Sequence, residues 1–251
     1  MSLSDMKGSF MAMPVSDRGV PVRQRHVSSE LRALRKKAGL TCEDVARALG
    51  VSASKVSRMQ TGKLPTSWQN VIRFEADAAA MHSFEPQLVP GLLQTPEYAE
   101  AVIRGTDDLT DAEIDTLVRA RMTRHGLLAK RDAPMLHAII DEAVLHRPIG
   151  APGVLRRQLQ HLITAAGVPK ISLRVLPFAA GATPGLSGPL LILECGDLPT
   201  LVYLEHRENT VFLEDVEYVQ RARVAMRRLR NAALAPEDSL RVIASSIDRM
   251  S

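Results

Sequence analysis

Two histidines and two carboxylates lie within ten residues of each other in the middle of the chain. The stretch reads HAIIDEAVLH and contains His137, Asp141, Glu142 and His146. Imidazole and carboxylate groups are zinc ligands, and a carboxylate beside an imidazole can also exchange protons with a substrate. These residue types therefore allow two kinds of chemistry, a metal centre or an acid–base pair.

The spacing supports that chemistry only if the four residues share one helix. Residues Met135–Ile140 have the composition of a β-strand, which would place His137 and the two acids on different elements. Asp141 and Glu142 would then begin a helix, where the helix dipole favours carboxylates. The sequence has no glycine-rich phosphate loop, cysteine pair or Gly-x-Ser-x-Gly elbow. We therefore expect no catalytic residue, metal or cofactor, and keep a small-molecule sensor or enzyme-like pocket near His137, Asp141 and Glu142 as the alternative.

A second group of residues has the chemistry of nucleic-acid contact. Residues 41–63 read TCEDVARALGVSASKVSRMQTGK, with apolar residues at helical spacing on either side of Gly50. Gly50 can end the first helix in a left-handed conformation, and Ser52 can cap the second. Thr41 and Asp44 form the pattern of a capping box for the first helix. The outer face of the second helix is small, hydroxylated or cationic, which suits a groove walled by phosphates.

The positive charge of the chain is concentrated in the same segment. Residues 21–63 contain ten Lys or Arg and three acidic residues, a net charge of +7, whereas the whole chain carries only +4. Residues 1–20 are balanced, so residues 64–251 carry −3. This distribution is typical of a DNA-binding module joined to a domain with another role. An ordinary pair of helices with a solvated polar face is the alternative.

This segment resembles the Xre, or lambda-repressor-like, class of helix-turn-helix domains. The matching positions are Thr41, Val45, Ala46, Gly50, Val51, Ser52, Val56, Ser57, Arg58 and Gly62. Cys42 stands where the class usually has a glutamine that contacts the DNA backbone, and Gln60 replaces the usual glutamate. The resemblance implies a recognition helix from Ala53 to Thr61 in the major groove.

Arg58 is the candidate for a base contact, because a guanidinium can donate two hydrogen bonds to guanine O6 and N7. Helix-turn-helix modules gain affinity by binding two half-sites, so we expect a homodimer on double-stranded DNA. The predicted DNA-binding residues are Ala53, Ser54 and Arg58 for bases, Ser52, Lys55 and Lys63 for phosphates, and Thr41 and Ser57.

The remaining sequence predicts three regions in an α+β, mostly helical protein. Residues 1–20 are expected to be a disordered leader, residues 21–63 the helix-turn-helix module and residues 64–251 a C-terminal regulatory or interaction domain. Xre-type domains ordinarily continue for two more helices, yet Lys63 runs almost directly into Leu64-Pro65. The sequence therefore predicts either a module shortened after residue 63 or residues missing between Gly62 and Pro65.

Periodicity and turn residues predict the elements of the C-terminal domain. The predicted helices are Trp68–Met81, Pro96–Arg104, Asp111–Lys130, Pro152–Ala166, Glu214–Leu234 and Pro236–Arg249. The predicted strands are Met135–Ile140, Ile171–Leu176, Pro189–Glu194 and Leu201–Glu205. Residues 178–189, FAAGATPGLSGP, are either a plain strand connection or a binding loop.

The stretch RARVAMRRLR, residues 221–230, combines arginines with an apolar stripe at helical spacing. An amphipathic helix with a solvated or partner-facing cationic side is the prediction, and a second nucleic-acid site is the alternative. The apolar stripe consists of Val219, Ala222, Met226 and Leu229.

Four strings resemble the C-terminal domain of the actinobacterial antitoxin-like regulators related to WhiJ. They are FEPQLVPGLLQT at residues 84–95, IDEAVL at 140–145, RVLPF at 174–178 and VYLE at 202–205. The resemblance implies a transcriptional regulator that is commonly encoded beside a small partner protein that modulates it. It implies neither a catalytic residue nor a cofactor.

Two further features bound the cellular setting. Cys42 and Cys195 lack metal-ligand spacing, which favours a reduced, cytoplasmic protein. No apolar run approaches the ~20 residues of a membrane span. We therefore expect a cytoplasmic protein that is not embedded in a membrane.

Overall fold

The computed structural model of the chain describes residues 32–49, 74–106, 108–130, 132–196, 199–205 and 210–250. The chain divides into two units, residues 1–65 and residues 66–251.

In the first unit, residues 32–37 are helical and lead into a glycine turn. The amide of Leu40 donates to the carbonyl of Arg35 at 3.1 Å, and the amide of Gly39 donates to the carbonyl of Lys36 at 3.0 Å. This pair of bonds is the Schellman arrangement, and it requires the left-handed φ of +68° that Gly39 adopts. The glycine therefore ends one helix just before the next begins.

Helix α1 spans Cys42–Leu49, as the sequence predicts for the first helix of the motif. The hydroxyl of Thr41 accepts from the amide of Asp44 at 3.1 Å, and the Asp44 carboxylate accepts from the amide of Thr41 at 2.9 Å. The predicted capping box is confirmed. The predicted turn at Gly50 and the helix Ala53–Thr61 lie outside the described residues, as does the junction between Gly62 and Pro65.

The second unit contains a six-stranded mixed sheet and is α+β, as predicted. The helices are α2 Pro96–Thr106, α3 Asp111–His125, α4 Val154–Ala166, α5 Val216–Ala232 and α6 Pro236–Asp248. The strands are β1 Ala80–Glu85, β2 Met135–Asp141, β3 Ile171–Leu176, β4 Leu190–Glu194, β5 Leu201–Glu205 and β6 Thr210–Leu213. The order across the sheet is β3-β2-β1-β4-β5-β6; β1, β2 and β3 are parallel, and the other pairs are antiparallel.

Successive side chains of each strand point to opposite faces of the sheet, and each face has its own apolar cluster. On one face, Ala138 and Ile140 of β2 belong to a cluster with residues of α2, α4 and α6. On the other face, Ile139 belongs to a cluster with the apolar stripe of α5. The stripe predicted for α5 is confirmed, because Val219, Ala222, Met226 and Leu229 are all buried.

The predicted helix Trp68–Met81 is wrong at its end. Residues 74–77 are helical, but Ala80 already begins β1, which lies between β2 and β4 in the sheet. The sequence AMHSFE has only two strongly apolar side chains, Met81 and Phe84, and they lie on opposite faces of the sheet. Its conformation is set by hydrogen bonding to neighbours on both sides. Strand β6 is also absent from the sequence prediction.

The segment between β3 and β4 connects the two strands through two short 3₁₀ turns, Phe178–Ala180 and Pro184–Ser187. Gly185 lies in the second turn, directly over the ring of Phe84 in β1. A Cβ added at Gly185 would lie 2.5 Å from Phe84 Cζ. The segment is therefore packed against the sheet at this glycine.

Candidate functional site

The structure describes only one of the predicted DNA-binding residues, Thr41. It is exposed at the N-cap of α1, where its hydroxyl also donates to Asp44 at 2.7 Å. The hydrogen bond from the Thr41 side chain is the main cause that lowers the pKa of Asp44, so this carboxylate stays charged at the positive end of the helix dipole. The other predicted residues lie outside the described ranges: Ser52, Ala53, Ser54, Lys55, Ser57, Arg58 and Lys63.

The four residues of HAIIDEAVLH do not form one site. His137 lies within β2, and Asp141, the last residue of that strand, is four positions further on, which is about 13 Å along a strand. Asp141 caps the 3₁₀ turn Glu142–Leu145 by accepting from the amide of Ala143 at 2.9 Å. The predicted role of this acid at the start of a helical segment is confirmed.

Glu142 and His146 have structural contacts of their own. The Glu142 carboxylate accepts from the amide of Phe178 at 2.8 Å and lies 3.7 Å from Nε2 of His146. Within the described part of the chain, no group of three or more His, Cys, Asp or Glu residues could hold a metal ion.

His137 instead faces α5 and lines a cleft between that helix and the sheet. In the sheet, His82 of β1 is directly opposite His137 of β2, which is in turn opposite Ser172 of β3. The two imidazole rings stack with their centroids 4.9 Å apart and an angle of 13° between their planes. Parallel strand pairing thus joins residues that are 55 positions apart in the sequence.

Arginines from α5 and β3 form much of the rim of this cleft, and apolar side chains contribute to its lining. Arg223, Arg227 and Arg230 follow one another at spacings of four and three along α5, so they share one side of the helix. The cavity has a volume of about 330 Å³. Its lining consists of His82, His137, Ala138, Ile139, Ser172, Arg174, Ile192, Glu194, Arg223, Met226, Arg227 and Arg230.

Glu194 is the single carboxylate in this lining, and it already has two partners, Arg223 and His82. Its side chain accepts from Arg223 at 3.0 Å and lies 3.5 Å from Nε2 of His82. The pKa of His137 is lowered, first by burial and then by electrostatic interaction with His82 and Arg230. The cleft therefore has an excess of positive charge.

A second cavity, of about 480 Å³, lies on the opposite face of the sheet. Its charged groups include Glu75 and Arg124, which are both buried and form an ion pair in which Arg124 Nε donates to Glu75 Oε2 at 2.9 Å. Arg121 donates to Gln94 Oε1 at 2.8 Å in the same cavity. The charges of Glu75 and Arg124 therefore compensate one another within the protein.

Sequence reasoning identified His137 but missed most of this cleft. The signal for the α5 part was present, because Arg223, Arg227 and Arg230 recur at helical spacing. No local signal joins them to His82, Arg174 and Glu194, which come from three different strands.

No helix among the described residues is long and apolar enough to cross a membrane.

The N-terminal part of the chain matches a helix-turn-helix family, which points to a DNA-binding regulator. Residues 26–76 match a family described as Helix-turn-helix domain. Residues 68–245 match the family described as Domain of unknown function (DUF5753), and the chain belongs to that family. No curated protein and no solved structure shows a significant match.

The helix-turn-helix match extends to residue 76, beyond the module boundary that the sequence pattern predicts at residue 63. It includes Thr41, Arg58 and Lys63. The predicted domain boundaries and DNA-contacting residues stay predictions.

Proposed function

We propose that this protein is a cytoplasmic, sequence-specific transcriptional regulator that binds double-stranded DNA as a homodimer and has no catalytic activity of its own. The observation that carries the proposal is the coincidence of the helix-turn-helix match at residues 26–76 with the strongly basic segment 21–63. Lys and Arg side chains neutralise DNA phosphates, so such a segment has the charge that a DNA-binding module needs.

The described part of the module supports this assignment. Its first motif helix, α1, begins at the predicted position with a complete capping box, which fixes where that helix begins. Arg32, Lys36 and Lys37 are exposed on the preceding helix. They are available to contact phosphates beside the groove.

The C-terminal domain is proposed to act as an antitoxin-like regulatory domain of the kind related to WhiJ, modulated by a small protein partner. Support comes from one side of α5, where Arg221 and Arg228 line a shallow surface with Val224 and the 3₁₀ turn Pro184–Ser187. Leu186 in that turn is 81% exposed. Exposed apolar side chains between arginines are suited to an acidic partner.

Isolation of genomic fragments bound by the purified full-length protein tests the proposed DNA recognition. We expect wild-type protein to enrich a small set of fragments that share an inverted repeat, because each subunit of a dimer reads one half-site. Arg58→Ala protein should enrich these fragments less strongly, with a relaxed preference at one base pair. Equal recovery of all fragments by the wild type would contradict sequence-specific recognition.

The partner proposal needs a separate measurement. Arg221→Glu with Arg228→Glu should weaken binding of the protein encoded beside this chain, measured by calorimetry, because the substitutions reverse the charge of the proposed surface. DNA affinity should be unchanged. Unaltered partner affinity in the double variant would contradict the assignment of this surface.

A further inference from the structure

We propose that the cleft between α5 and the sheet is a binding site for a small phosphate ester with a planar ring, of about mononucleotide size. This site is separate from the proposed DNA-binding module, since every residue in its lining comes from the second unit. The inference therefore does not depend on which DNA sequence the first unit recognises.

Uncompensated cationic side chains give the first reason. Arg223 is paired with Glu194, but Arg227 and Arg230 have no carboxylate at salt-bridge distance among the described residues. Arg174 donates from Nη1 to the carbonyl of Leu234 at 3.0 Å, a neutral acceptor that leaves its charge uncompensated. Three guanidinium groups around one concave site are suited to phosphate, whose oxygens accept paired hydrogen bonds.

The stacked imidazoles give the second reason. His82 and His137 stack on one another and both line the cleft. Burial, and then the nearby Arg230, lower the pKa of His137 and favour its neutral form. A neutral imidazole can both stack against a heterocycle and hydrogen-bond to its edge. Ile139, Ile192 and Met226 supply the apolar contacts that a ring also needs.

Size gives the third reason. A volume of about 330 Å³ is at the lower end of the ~300 to 1,000 Å³ range of small-molecule sites. A ring with one or two phosphates fits such a volume, whereas a nucleic-acid duplex or a folded protein does not enter it. The positive charge is local, because residues 64–251 together carry −3.

Neighbouring arginines of α5 offer a matched pair of variants. Arg227 lines the cleft, whereas Arg228 lines the surface on the other side of the helix, beside Thr183 and Ser187. Both are exposed and lie in the middle of α5. Arg227→Glu and Arg228→Glu therefore make the same change of charge at adjacent positions, and only the first changes the cleft.

Calorimetric titration of the full-length protein tests the proposal with adenosine and guanosine 5′-monophosphates, ribose 5-phosphate, inorganic phosphate and adenosine as probes. We expect at least one nucleotide to bind at least tenfold more tightly than ribose 5-phosphate, inorganic phosphate or adenosine. Arg227→Glu should weaken nucleotide binding about tenfold or more, because it removes a charged hydrogen-bond donor and adds a repulsive carboxylate. Arg228→Glu should stay within about twofold of wild type.

Three results would overturn the proposal. The first is no heat of binding for either nucleotide at about 5 mM, which would correspond to an affinity too weak for a dedicated binding site. The second is an equal loss in both variants, which would indicate general attraction to a cationic helix. The third is loss of DNA binding in Arg227→Glu but not in Arg228→Glu, which would assign the cleft to the DNA backbone. Thermal unfolding of both variants verifies that each is folded.

Discussion

Gln94 and Gln158 explain much of the distinctive string at residues 84–95. The buried Gln158 amide donates to the carbonyl of Leu93 at 2.7 Å and accepts from the amide of Thr95 at the same distance. Gln94 donates to the carbonyl of Val89 at 2.7 Å. A buried turn must satisfy its backbone groups within the protein, and these two side chains do so. The string is therefore a structural signature of the turn after β1.

The close approach of Gly185 to Phe84 gives a prediction at the residue scale. Gly185→Ala should lower the free energy of unfolding by ~1 to 3 kcal/mol, because the new Cβ would overlap a fully buried ring that has little room to move. Urea unfolding followed by circular dichroism measures the change. Gly105→Ala is the control, since no atom lies within 4 Å of its added Cβ and its helix should be unaffected or slightly stabilised. Equal stability of the two variants would show that Phe84 moves aside freely.

Arg58 carries the residue-scale prediction for DNA recognition. Arg58→Ala should weaken binding to the specific site by ~1 to 3 kcal/mol and relax the preference at one base pair, because it removes a bidentate contact to guanine. Titration against the specific duplex and a scrambled duplex measures both effects. Unchanged specific affinity would show that the module does not read DNA through this residue.

The residues of the cleft show where sequence reasoning stops. In the sequence, His137 lies close to Asp141 and Glu142, but its neighbours in the structure are His82 and Arg230. Only the in-register pairing of two parallel strands brings His82 to it. The residue types along the chain do not specify which strands pair or in what register. The capping box of Thr41 and Asp44 lies within four residues, and it was predicted correctly.

Elements are predictable where their pattern is strong and local. The bounds of β3 and β5 match the sequence prediction because apolar, β-branched residues lie between clear breaks. Helix α5 is also correct, with each end within two residues, since its stripe follows a helical period. Strand β1 was missed because His82 and Ser83 weaken its pattern, and pairing with β2 and β4 determines its conformation.

Helix α3 and the helical turn 74–77 are joined by a buried ion pair, which gives a prediction at the element scale. Glu75→Gln should lower the free energy of unfolding by ~3 to 5 kcal/mol, because it removes the negative charge opposite the buried guanidinium of Arg124. Unfolding in urea measures this loss. The double variant Glu75→Leu with Arg124→Met should recover most of it, since an apolar pair needs no compensating charge.

A comparison pair on the surface completes that experiment. Glu217 and Arg221 are 2.8 Å apart, but their side chains are 81% and 62% exposed. Glu217→Gln should therefore have a far smaller effect on unfolding than Glu75→Gln, because water screens this pair. If the two variants lost equal stability, burial would not be the source of the energy at Glu75.

At the scale of the whole molecule, two cationic regions have different proposed roles. The net charge of +7 in residues 21–63 is assigned to DNA, and the arginines of α5 are assigned to a small ligand and a protein partner. The sum over residues 64–251 is −3, so we expect the second unit as a whole to contribute little to DNA attraction. Composition alone predicts this division of charge, but only the fold separates the arginines of α5 into two sides.

The salt dependence of DNA affinity tests that division. For duplex DNA, the logarithm of the binding constant falls with the logarithm of salt concentration by about 0.9 for each phosphate neutralised. Lys55→Ala and Lys63→Ala should each reduce this slope by about one unit and weaken binding to specific and scrambled duplexes alike. Arg227→Glu and Arg228→Glu should leave the slope unchanged, because α5 belongs to the second unit. Fluorescence anisotropy at several salt concentrations gives the slope for the wild type and for each of the four variants. A reduced slope in either α5 variant would show that the second unit also contacts the DNA backbone.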